Sequence, residues 1–501
     1  MLWLMLMGLF LLYDAVGTLR MSQLSEAVQA VWNEQSAQIY AAGFCMLFGF
    51  GAKAGMFPMH FWLPKAHPAA PAPASALLSG ILTKCGIFGI LILTAEVFLH
   101  DITWGTVILS LGVITMVMGA ILAVFSVNLK RTLACSSVSQ IGFILVGVAM
   151  QCFLGEHNAL AVRGTFLHMV NHSLIKLLLF NCAGVVYMNL HKLDFNEICG
   201  FGRKKPFLMI CFLMGALGIG GVPMWNGYVS KTLLHESIVE YIALLQEAGM
   251  DTAIFNGIEW AFLISGGLTV AYMAKVFFCL FVKKHPTKQQ QYDAKTNYIS
   301  PLSKVVIGLA AFILPVMGMF PVQTMDKMAD AVMEFMRSGH LNHQVAYFTW
   351  TNLKGSLISI GIGMIVYVVI IPYVFMKRRD ITIVNNVYKE KAKKQRYYVN
   401  IWPEAMNIER FFAKLLHLLI QILGVFCKVL DGCPDFIIGS IKKVVFAETT
   451  EPEENKFLNK LHENLDNRVE TGRIISSSLS FGLLLVCFGL LMTIVYLMIN
   501  L

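Results

Sequence analysis

Charged residues are scarce in this 501-residue sequence: Asp, Glu, Lys and Arg make up 14% of it, whereas soluble domains contain about 25%. Apolar residues make up 57%. Runs of about 20 apolar residues recur from one end to the other, and each run is long enough to cross a bilayer as a helix. These features exclude a soluble protein and predict an all-α, polytopic bundle of membrane helices.

Paired cysteines are missing as well. The sequence contains eleven cysteines, but no two of them form the CxxC motif that is typical of iron–sulfur and zinc sites. We therefore expect reduced, buried thiols, no bound metal and no cofactor of the chain's own. The net charge of +9 would favour nucleic acid in a soluble protein. In a membrane protein basic residues gather in the loops, so we expect no nucleic-acid partner.

Eleven segments are apolar and long enough to be predicted as membrane spans. They are 1–17, 38–63, 76–98, 104–126, 133–151, 160–187, 206–245, 259–282, 302–321, 355–376 and 474–500. If the first span runs outward, the short cytoplasmic loops carry 11 basic residues, the outer loops carry 4, and segment 377–473 adds 17 on the cytoplasmic side. This bias predicts a multi-pass protein of the bacterial plasma membrane, with its amino terminus in the cytoplasm and its carboxyl terminus outside.

Seven basic residues lie in or near the predicted spans, where charge is costly. Three of them, near helix ends, can reach the interface by snorkelling: Arg163, Lys275 and Lys304. The other four lie deeper, where an ammonium costs about 2.5–3.5 kcal/mol. They are Lys53, Lys84, Lys176 and Lys231. Acidic residues are few in the spans, so a hydrated path along which lysines exchange protons is favoured over buried ion pairs.

Two spans are interrupted in a matching way, each beside one of the deep lysines. The second span breaks at Gly55 and Pro58, and the seventh breaks at Gly220, Gly221 and Pro223. Such breaks are tolerated at membrane depth only where the freed backbone is buried or faces water. A kink for packing is one explanation. Matching breaks in two halves also indicate inverted repeats with discontinuous helices around a central ion site.

The sixth span carries a row of titratable side chains. His168, His172 and Lys176 are spaced by four residues, so they share one face of a helix. Histidine takes and gives protons near neutral pH, and a row of two beside a lysine suits a proton relay. The HxxxH spacing also occurs in metal sites, but no acidic residue completes a zinc motif here.

The segments that carry these residues resemble a known family in their order along the chain. Residues 53–68 read KAGMFPMHFWLPKAHP, and SALLSG follows at 75–80, before Lys84. With NLKRTLACSS at 128–137, they closely resemble the antiporter-like subunits of respiratory complex I. The same family includes the large membrane subunits of Mrp sodium/proton antiporters, energy-converting hydrogenases and formate hydrogenlyases. The Ala-His-Pro at 66–68 is most similar to the hydrogenase branch, and the resemblance covers about residues 1–321.

This resemblance implies a role for each candidate residue. Lys53 and Lys84 would belong to one half-channel and the central axis, and Lys231 to the exit half-channel. The row from His168 to Lys176 would connect them. The chain would then move protons or sodium ions within a redox-driven oxidoreductase complex, without a redox centre of its own. A subunit of an Mrp-type antiporter and a non-conducting scaffold are the alternatives.

The resemblance also implies partners. The family has a membrane glutamate one helix before the first predicted span, and this sequence has no counterpart to it. We therefore expect an incomplete first repeat: either the sequence is amino-terminally incomplete, or a separate chain supplies the preceding helices. Other membrane subunits are the expected partners in the bilayer.

The carboxyl-terminal part has a different pattern. After a basic stretch, polar residues recur every seventh position of an apolar segment at 411–446; they are Lys414, Gln421, Lys428, Asp435 and Lys442. This stripe predicts a lateral amphipathic helix along a neighbouring subunit, or an ordinary interfacial helix. The expected domains are a translocating core at 1–321, an outer loop and span at 322–376, the basic stretch and lateral helix at 377–473, and a terminal anchor at 474–501.

Overall fold

The structure is a computed structural model of the chain. It describes residues 2–333, 335–336, 338, 345–385, 388–400 and five residues between 414 and 421. Two compact units divide the chain, at 1–412 and 413–501. The first unit contains the candidate residues and is described below.

Seventeen α-helices and two strands make up the described part of this unit. The helices are α1 (Leu2–Val16), α2 (Met21–Ala54), α3 (Leu63–Ala69), α4 (Ala72–Leu77), α5 (Thr83–Ile92), α6 (Ile102–Phe125), α7 (Leu129–Leu154), α8 (Ala159–Leu190), α9 (Phe195–Ile198), α10 (Pro206–Gly220), α11 (Asn226–Glu247), α12 (Ala253–Phe277), α13 (Gln289–Ala294), α14 (Pro301–Met319), α15 (Lys327–Met333), α16 (Trp350–Ile365) and α17 (Ile371–Val374). The strands are β1 (Met376–Asn385) and β2 (Tyr388–Tyr398). Short π-helical turns lie at Leu78–Leu82, Leu93–Val97, Phe278–Val282, Val322–Asp326 and Val366–Ile370.

The bundle has the all-α, polytopic membrane character that the sequence predicts. Within the described residues, eight helical stretches are long and apolar enough to cross a membrane, and α1 and α10 are shorter apolar helices. Each of the first ten predicted spans coincides with one or more of these helices. The eleventh, at 474–500, lies outside the described residues.

Helix α7 lies at the centre of the bundle. Its most apolar stretch is completely buried, whereas between 17% and 67% of the corresponding stretch is buried in the other candidate spans. Small residues let α6 approach it closely: a Cβ atom on Gly142 would lie 2.2 Å from the backbone nitrogen of Met116. Close backbone contact of this kind is how membrane helices associate. Helix α7 is therefore a rigid wall against which the candidate residues are placed.

Both predicted breaks interrupt helices. Helix α2 ends at Gly55, whose φ of +85° is in the left-handed region, and α10 ends at Gly221, with φ +72°. Glycine adopts this conformation without a steric penalty. After the second break the chain becomes helical again at α11, which leaves the last carbonyl groups of α10 without helical partners. The discontinuous helices that the sequence predicts are thus present.

The amino-terminal region differs from its prediction. Residues 18–37 are too polar to be predicted as a span, yet α2 begins at Met21 and continues through an irregular residue, Gln35. Leu24 and Val28, one turn apart, are buried. A helix that buries only one stripe need not contain a long apolar run, so a hydropathy pattern misses it.

A β-hairpin occupies the start of the predicted basic stretch, where no strand was expected. Strands β1 and β2 pair antiparallel, with Met376 opposite Tyr398. Asn196 fixes the end of β2: its side chain accepts a hydrogen bond from Tyr398 N (2.8 Å) and donates one to Tyr398 O (3.0 Å).

The lateral helix predicted for 411–446 falls largely outside the described residues. The five residues that are described there are helical; they are Lys414, His417, Leu418, Ile420 and Gln421. The four-part division of the chain therefore stays a prediction.

Candidate functional site

The candidate site is a row of buried polar side chains that crosses the bundle from α5 through α8 to α11. Lys84 and Lys231 are each 8% exposed, and His168 and His172 are 3% and 1% exposed. Helices α5, α8 and α11 approach one another beside α7, so residues that are far apart in sequence become neighbours.

A lysine–histidine contact begins the row. Lys84 Nζ lies 2.7 Å from His172 Nδ1 and donates to the carbonyl oxygen of Ser79 at 2.6 Å. That carbonyl belongs to the π-helical turn Leu78–Leu82, and π-turns disturb the regular helical bonding and often occur at functional sites. A proton can pass between the amine and the imidazole directly, without an intervening group.

The second histidine links three helices. His168 Nδ1 lies 2.9 Å from Ser230 Oγ on α11, and its Nε2 lies 3.0 Å from Gln140 Oε1 on α7. Asn171 Nδ2 donates to the same Ser230 hydroxyl at 3.0 Å. Because His168 and His172 are four residues apart, about 6 Å along the helix axis separates them. Lys231, the next residue on α11, is close enough for its charge to act on His168.

Lys231 is held by the end of the broken helix. Its Nζ donates to Ile219 O at 2.9 Å, near the carboxyl terminus of α10, where the helix dipole favours a positive charge. The ammonium also lies 4.9 Å from the centroid of the Phe143 ring. A Cβ atom on Gly221 would be 3.0 Å from Lys231 Cδ, so the glycine makes room for the lysine side chain.

The third member of the predicted histidine–lysine row is directed elsewhere. Lys176 is fully buried, and its Nζ donates to Leu133 O at 2.7 Å and to the Ser136 hydroxyl, both on α7. The equal spacing along α8 therefore does not place all three side chains against the same partner. Lys176 therefore lies beside the row and is bonded to α7 instead.

Lys53 is not brought into the row. It is in the last turn of α2, immediately before the first break, and its side chain is exposed on the surface of the chain. The structure thus groups Lys84, His168, His172 and Lys231, with Lys176 nearby and Lys53 apart.

The row contains positive groups without acidic partners. In the part of the chain that the structure describes, the recorded hydrogen bonds and ion pairs of Lys84, Lys176 and Lys231 include no carboxylate. The charges of Lys84 and Lys231 both act on His168, and those of all three lysines act on His172. Two unit charges 4 Å apart repel by about 4 kcal/mol at an effective dielectric constant near 20. A proton on one group therefore disfavours a proton on its neighbour.

Sequence reasoning missed two groups at the far end of the row. His235, one helical turn after Lys231, lies with its Nε2 3.1 Å from Glu259 Oε1. Lys231 and His235 line one cleft with Ser356. The cleft has a volume of about 30 Å³, and about 10–15 Å³ is enough for one water molecule. The sequence pattern that could have identified His235 is its i, i+4 spacing from Lys231.

A buried histidine lies beside α8, one helical turn beyond Lys176. His67 is fully buried and stacks on the Phe180 ring at 4.6 Å. Neither of its ring nitrogens has a hydrogen-bond partner among the residues that the structure describes. It belongs to the Ala-His-Pro motif at 66–68. The sequence indicated a family resemblance through this motif but did not predict a functional role for His67.

Comparison with known proteins finds a family match in the first half of the chain. Residues 2–246 match the family model described as NADH:quinone oxidoreductase/Mrp antiporter, transmembrane. These residues make up just under half of the chain, and through them the chain is similar to this family. The matched segment contains Lys84, His168, His172, Lys176 and Lys231, so the candidate row lies within the antiporter-family region (residues 2–246).

Individual relatives come from several branches of the family. Hydrogenase-4 component B of Escherichia coli is 38% identical over 272 residues, which cover 51% of this chain and 39% of the relative. Formate hydrogenlyase subunit 3 of the same organism is 30% identical, covering 61% and 50%. An Na(+)/H(+) antiporter subunit of Alkalihalophilus pseudofirmus is 29% identical, covering 65% and 63%. The chain thus spans between about two fifths and two thirds of the length of these relatives.

Solved structures share the fold. A chain of the Mrp complex from Dietzia sp. aligns with a TM-score of 0.57 at 19% identity, covering 67% of both chains. A chain of the membrane-bound sulfane sulfur reductase, an archaeal respiratory membrane complex, aligns with a TM-score of 0.56 at 19% identity, covering 71% of this chain and 65% of that one. Both are consistent with the polytopic bundle described above.

Two of the three residues predicted to snorkel are instead buried. Lys275, beyond the antiporter-family region, is 1% exposed and donates to the carbonyls of Val124 and Ser126 at 2.7 Å and of Ala123 at 3.3 Å. These carbonyls lie at the carboxyl terminus of α6, so the lysine caps that helix. The snorkelling prediction for Lys275 is wrong because its partners, about 150 residues away, are invisible in the sequence.

Arg163 is the second correction. It forms ion pairs with Asp326 (3.3 Å) and Asp330 (2.6 Å), which fasten the segment around α15 to α8. Lys304, in contrast, is exposed at the start of α14, as expected for a snorkelling residue.

Proposed function

We propose that the chain is a proton-translocating membrane subunit of a redox-driven complex of the complex I and energy-converting hydrogenase type, with sodium as the alternative coupling ion. The observation that supports this proposal is the row Lys84–His172–His168–Lys231: buried, hydrogen-bonded and without recorded acidic partners. A structural role would be better served by ion pairs or apolar side chains, since unpaired buried charge is costly.

The geometry suggests how protons move. A proton passes from Lys84 Nζ to His172 Nδ1 and leaves from His172 Nε2, which has no hydrogen-bond partner among the described residues. Water carries it over the helical turn of about 6 Å to His168. From there it passes to the Ser230 hydroxyl and, again through water, to Lys231. Lys231 delivers it to the cleft that it shares with His235, whose imidazole contacts Glu259. Repulsion between neighbouring positive groups makes each arrival favour the next departure, because about 4 kcal/mol corresponds to roughly a thousandfold change in occupancy.

The source of energy is inferred from the relatives. The hydrogenase-4 component is 38% identical to this chain and the Na(+)/H(+) antiporter subunit is 29% identical, which favours a redox-driven complex. An Mrp-type antiporter subunit is the second candidate, because the fold aligns with the Mrp complex over two thirds of each chain.

Partners and location follow from the same proposal. Formate hydrogenlyase and the Mrp complex name assemblies in which related chains are subunits. We infer that this chain, too, acts with other membrane subunits in a bacterial plasma membrane. The paired helix breaks support an inverted-repeat organisation, and the positive-inside bias supports a cytoplasmic amino terminus.

A double-mutant cycle on the first contact tests the proposal. Lys84→Met, His172→Met and the double variant are compared in membrane vesicles that contain the assembled complex, by the quenching of a pH-sensitive dye on addition of the electron donor. Each single variant is expected to lower proton pumping at least tenfold. The double variant should be no worse than either single variant, because both interrupt one path.

The controls separate the alternatives. Lys304→Met removes an exposed membrane lysine and should leave pumping unchanged. Co-purification of the other subunits shows whether each variant assembles. Proton uptake driven by a sodium gradient without an electron donor would favour the Mrp-type antiporter. Normal pumping in all three relay variants would show that the chain is a scaffold.

A further inference from the structure

A second cleft lies at the base of the β-hairpin, away from the proposed proton path. It has a volume of about 530 Å³, within the range of small-molecule binding sites. One wall comes from the helical residues 367–372, and the opposite wall from the loop after Val282 and from the ends of both strands. The cleft is lined by Lys283, Lys284, Tyr367, Val368, Ile371, Pro372, Met376 and Arg396.

The cleft is strongly positive. Two lysines and one arginine line it, and none of the lining residues that the structure describes is acidic. Lys283 Nζ contacts neutral groups, donating to the Tyr398 hydroxyl at 3.0 Å and lying 3.6 Å from Met376 Sδ. Burial lowers the pKa of Lys283, and the neighbouring Arg396 guanidinium acts in the same direction. An anion in the cleft would relieve this repulsion.

The helical wall is apolar and continues outward from the cleft. Val368 and Val369 are 58% and 51% exposed, and Tyr373, below the Arg396 guanidinium, is 77% exposed. These residues belong to a stretch, Trp350–Val374, that is long and apolar enough to span a membrane. A ligand in the cleft therefore meets positive charge at one end and a membrane-facing apolar surface at the other.

We propose that this cleft binds the phosphodiester headgroup of an anionic phospholipid, whose acyl chains lie along residues 368–374. Lys283 and Arg396 contact the phosphate, and Tyr367 and Val368 contact the glycerol and the first methylene groups. Basic pockets beside membrane helices are suited to such headgroups. The apolar wall distinguishes a lipid from soluble phosphate, which would gain nothing from it. The bound lipid joins the hairpin to the loop after α12.

Native mass spectrometry of the purified full-length chain tests the proposal. The probes are phosphatidylglycerol and phosphatidylcholine of the same acyl composition, added in detergent. Phosphatidylglycerol should bind at least tenfold more tightly than phosphatidylcholine. Lys283→Gln with Arg396→Gln should weaken its binding about 25-fold, since each basic residue near a membrane surface contributes about fivefold. The charge-preserving pair Lys283→Arg with Arg396→Lys should retain most of it.

The control pair is Lys288→Gln with Lys304→Gln, which removes two exposed charges that do not line the cleft. Equal phosphatidylglycerol affinity in the cleft variant and the control variant would overturn the proposal. Displacement of the lipid by excess inorganic phosphate would also overturn it and would indicate a soluble anion instead.

A measurement on the unmodified chain covers the case in which the glutamine variants do not fold. Phosphatidylglycerol with a photoreactive group near the top of one acyl chain should label peptides that contain Val368 or Val369. Labelling confined to other helices would contradict the assignment.

Discussion

At the scale of single residues, buried lysines serve two different purposes in this bundle. Lys231 and Lys275 both donate to carbonyls at the carboxyl end of a helix. Lys231 has one such bond and lines a cleft that can hold water, whereas Lys275 has three and lines neither of the two clefts described here. The proposed proton path assigns proton exchange to the first arrangement, whereas the three bonds of the second fix the amine in place.

This difference gives a prediction about stability. Lys275→Met should destabilise the bundle by at least about 3 kcal/mol, because each hydrogen bond to a charged group contributes about 1.5–3 kcal/mol and the α6 carbonyls lose their partner. The measurement is the Tm of the purified chain in detergent. Lys304→Met, at an exposed position, is the control. Equal Tm values for the two variants would show that Lys275 is not a helix cap.

The sequence identified most of the candidate residues for a simple physical reason. Ionisable side chains are expensive in a membrane, so Lys84, His172 and Lys231 are conspicuous among apolar neighbours. The direction of a side chain was not predictable in the same way. Lys53 and Lys84 look alike in sequence, but only Lys84 faces the interior, because the face that a helix buries depends on elements distant in the chain.

At the scale of elements, the break between α10 and α11 connects backbone conformation to the site. Gly221 has a positive φ and lies against the Lys231 side chain, so both strain and contact oppose a larger residue. The sequence predicts this break from its glycines and proline. It does not predict that the freed carbonyl at Ile219 becomes the acceptor for Lys231.

Gly221→Ala tests this coupling. A non-glycine residue in the left-handed region costs about 1–3 kcal/mol, and the new methyl group should displace the lysine from Ile219. We expect a lower Tm together with severalfold slower proton pumping. In Gly257→Ala the new methyl group meets open space in α12, so the Tm should be unchanged or slightly higher. Normal pumping by Gly221→Ala would mean that the Lys231 contact is not needed.

The β-hairpin shows what the sequence could not reveal at this scale. Its strands are rich in lysine and arginine and lack the apolar alternation that marks a half-buried strand, so the segment was predicted only as a basic stretch. Its position depends on contacts with residues about 200 positions earlier.

Asn196→Ala should therefore loosen the hairpin without disturbing the bundle. Asn196 exchanges two hydrogen bonds with the backbone of Tyr398, and each contributes about 1 kcal/mol. Amide hydrogen exchange should become faster in residues 388–398, while α7 and α8 stay protected. Asn256→Ala, which removes only a local contact on α12, is the control. Unchanged exchange in β2 would show that other contacts hold the hairpin.

At the scale of the whole molecule, hydropathy was sufficient to predict a polytopic bundle, since bilayer thickness fixes the length of each span. Hydropathy does not predict how the helices pack. Helix α7 is the buried centre because glycines let α6 approach it closely. The candidate row lies where α5, α8 and α11 meet beside α7. The match of residues 2–246 to the family model agrees with this arrangement.

The most direct test of proton translocation is the ratio of protons moved to electrons transferred by the assembled complex, compared between Lys231→Met and Lys304→Met. Both substitutions remove one lysine from a membrane helix, but only Lys231 ends the buried row. We expect electron transfer to continue in both variants, with the ratio reduced at least tenfold in Lys231→Met and unchanged in Lys304→Met. Equal ratios in the two variants would contradict a proton path through Lys231.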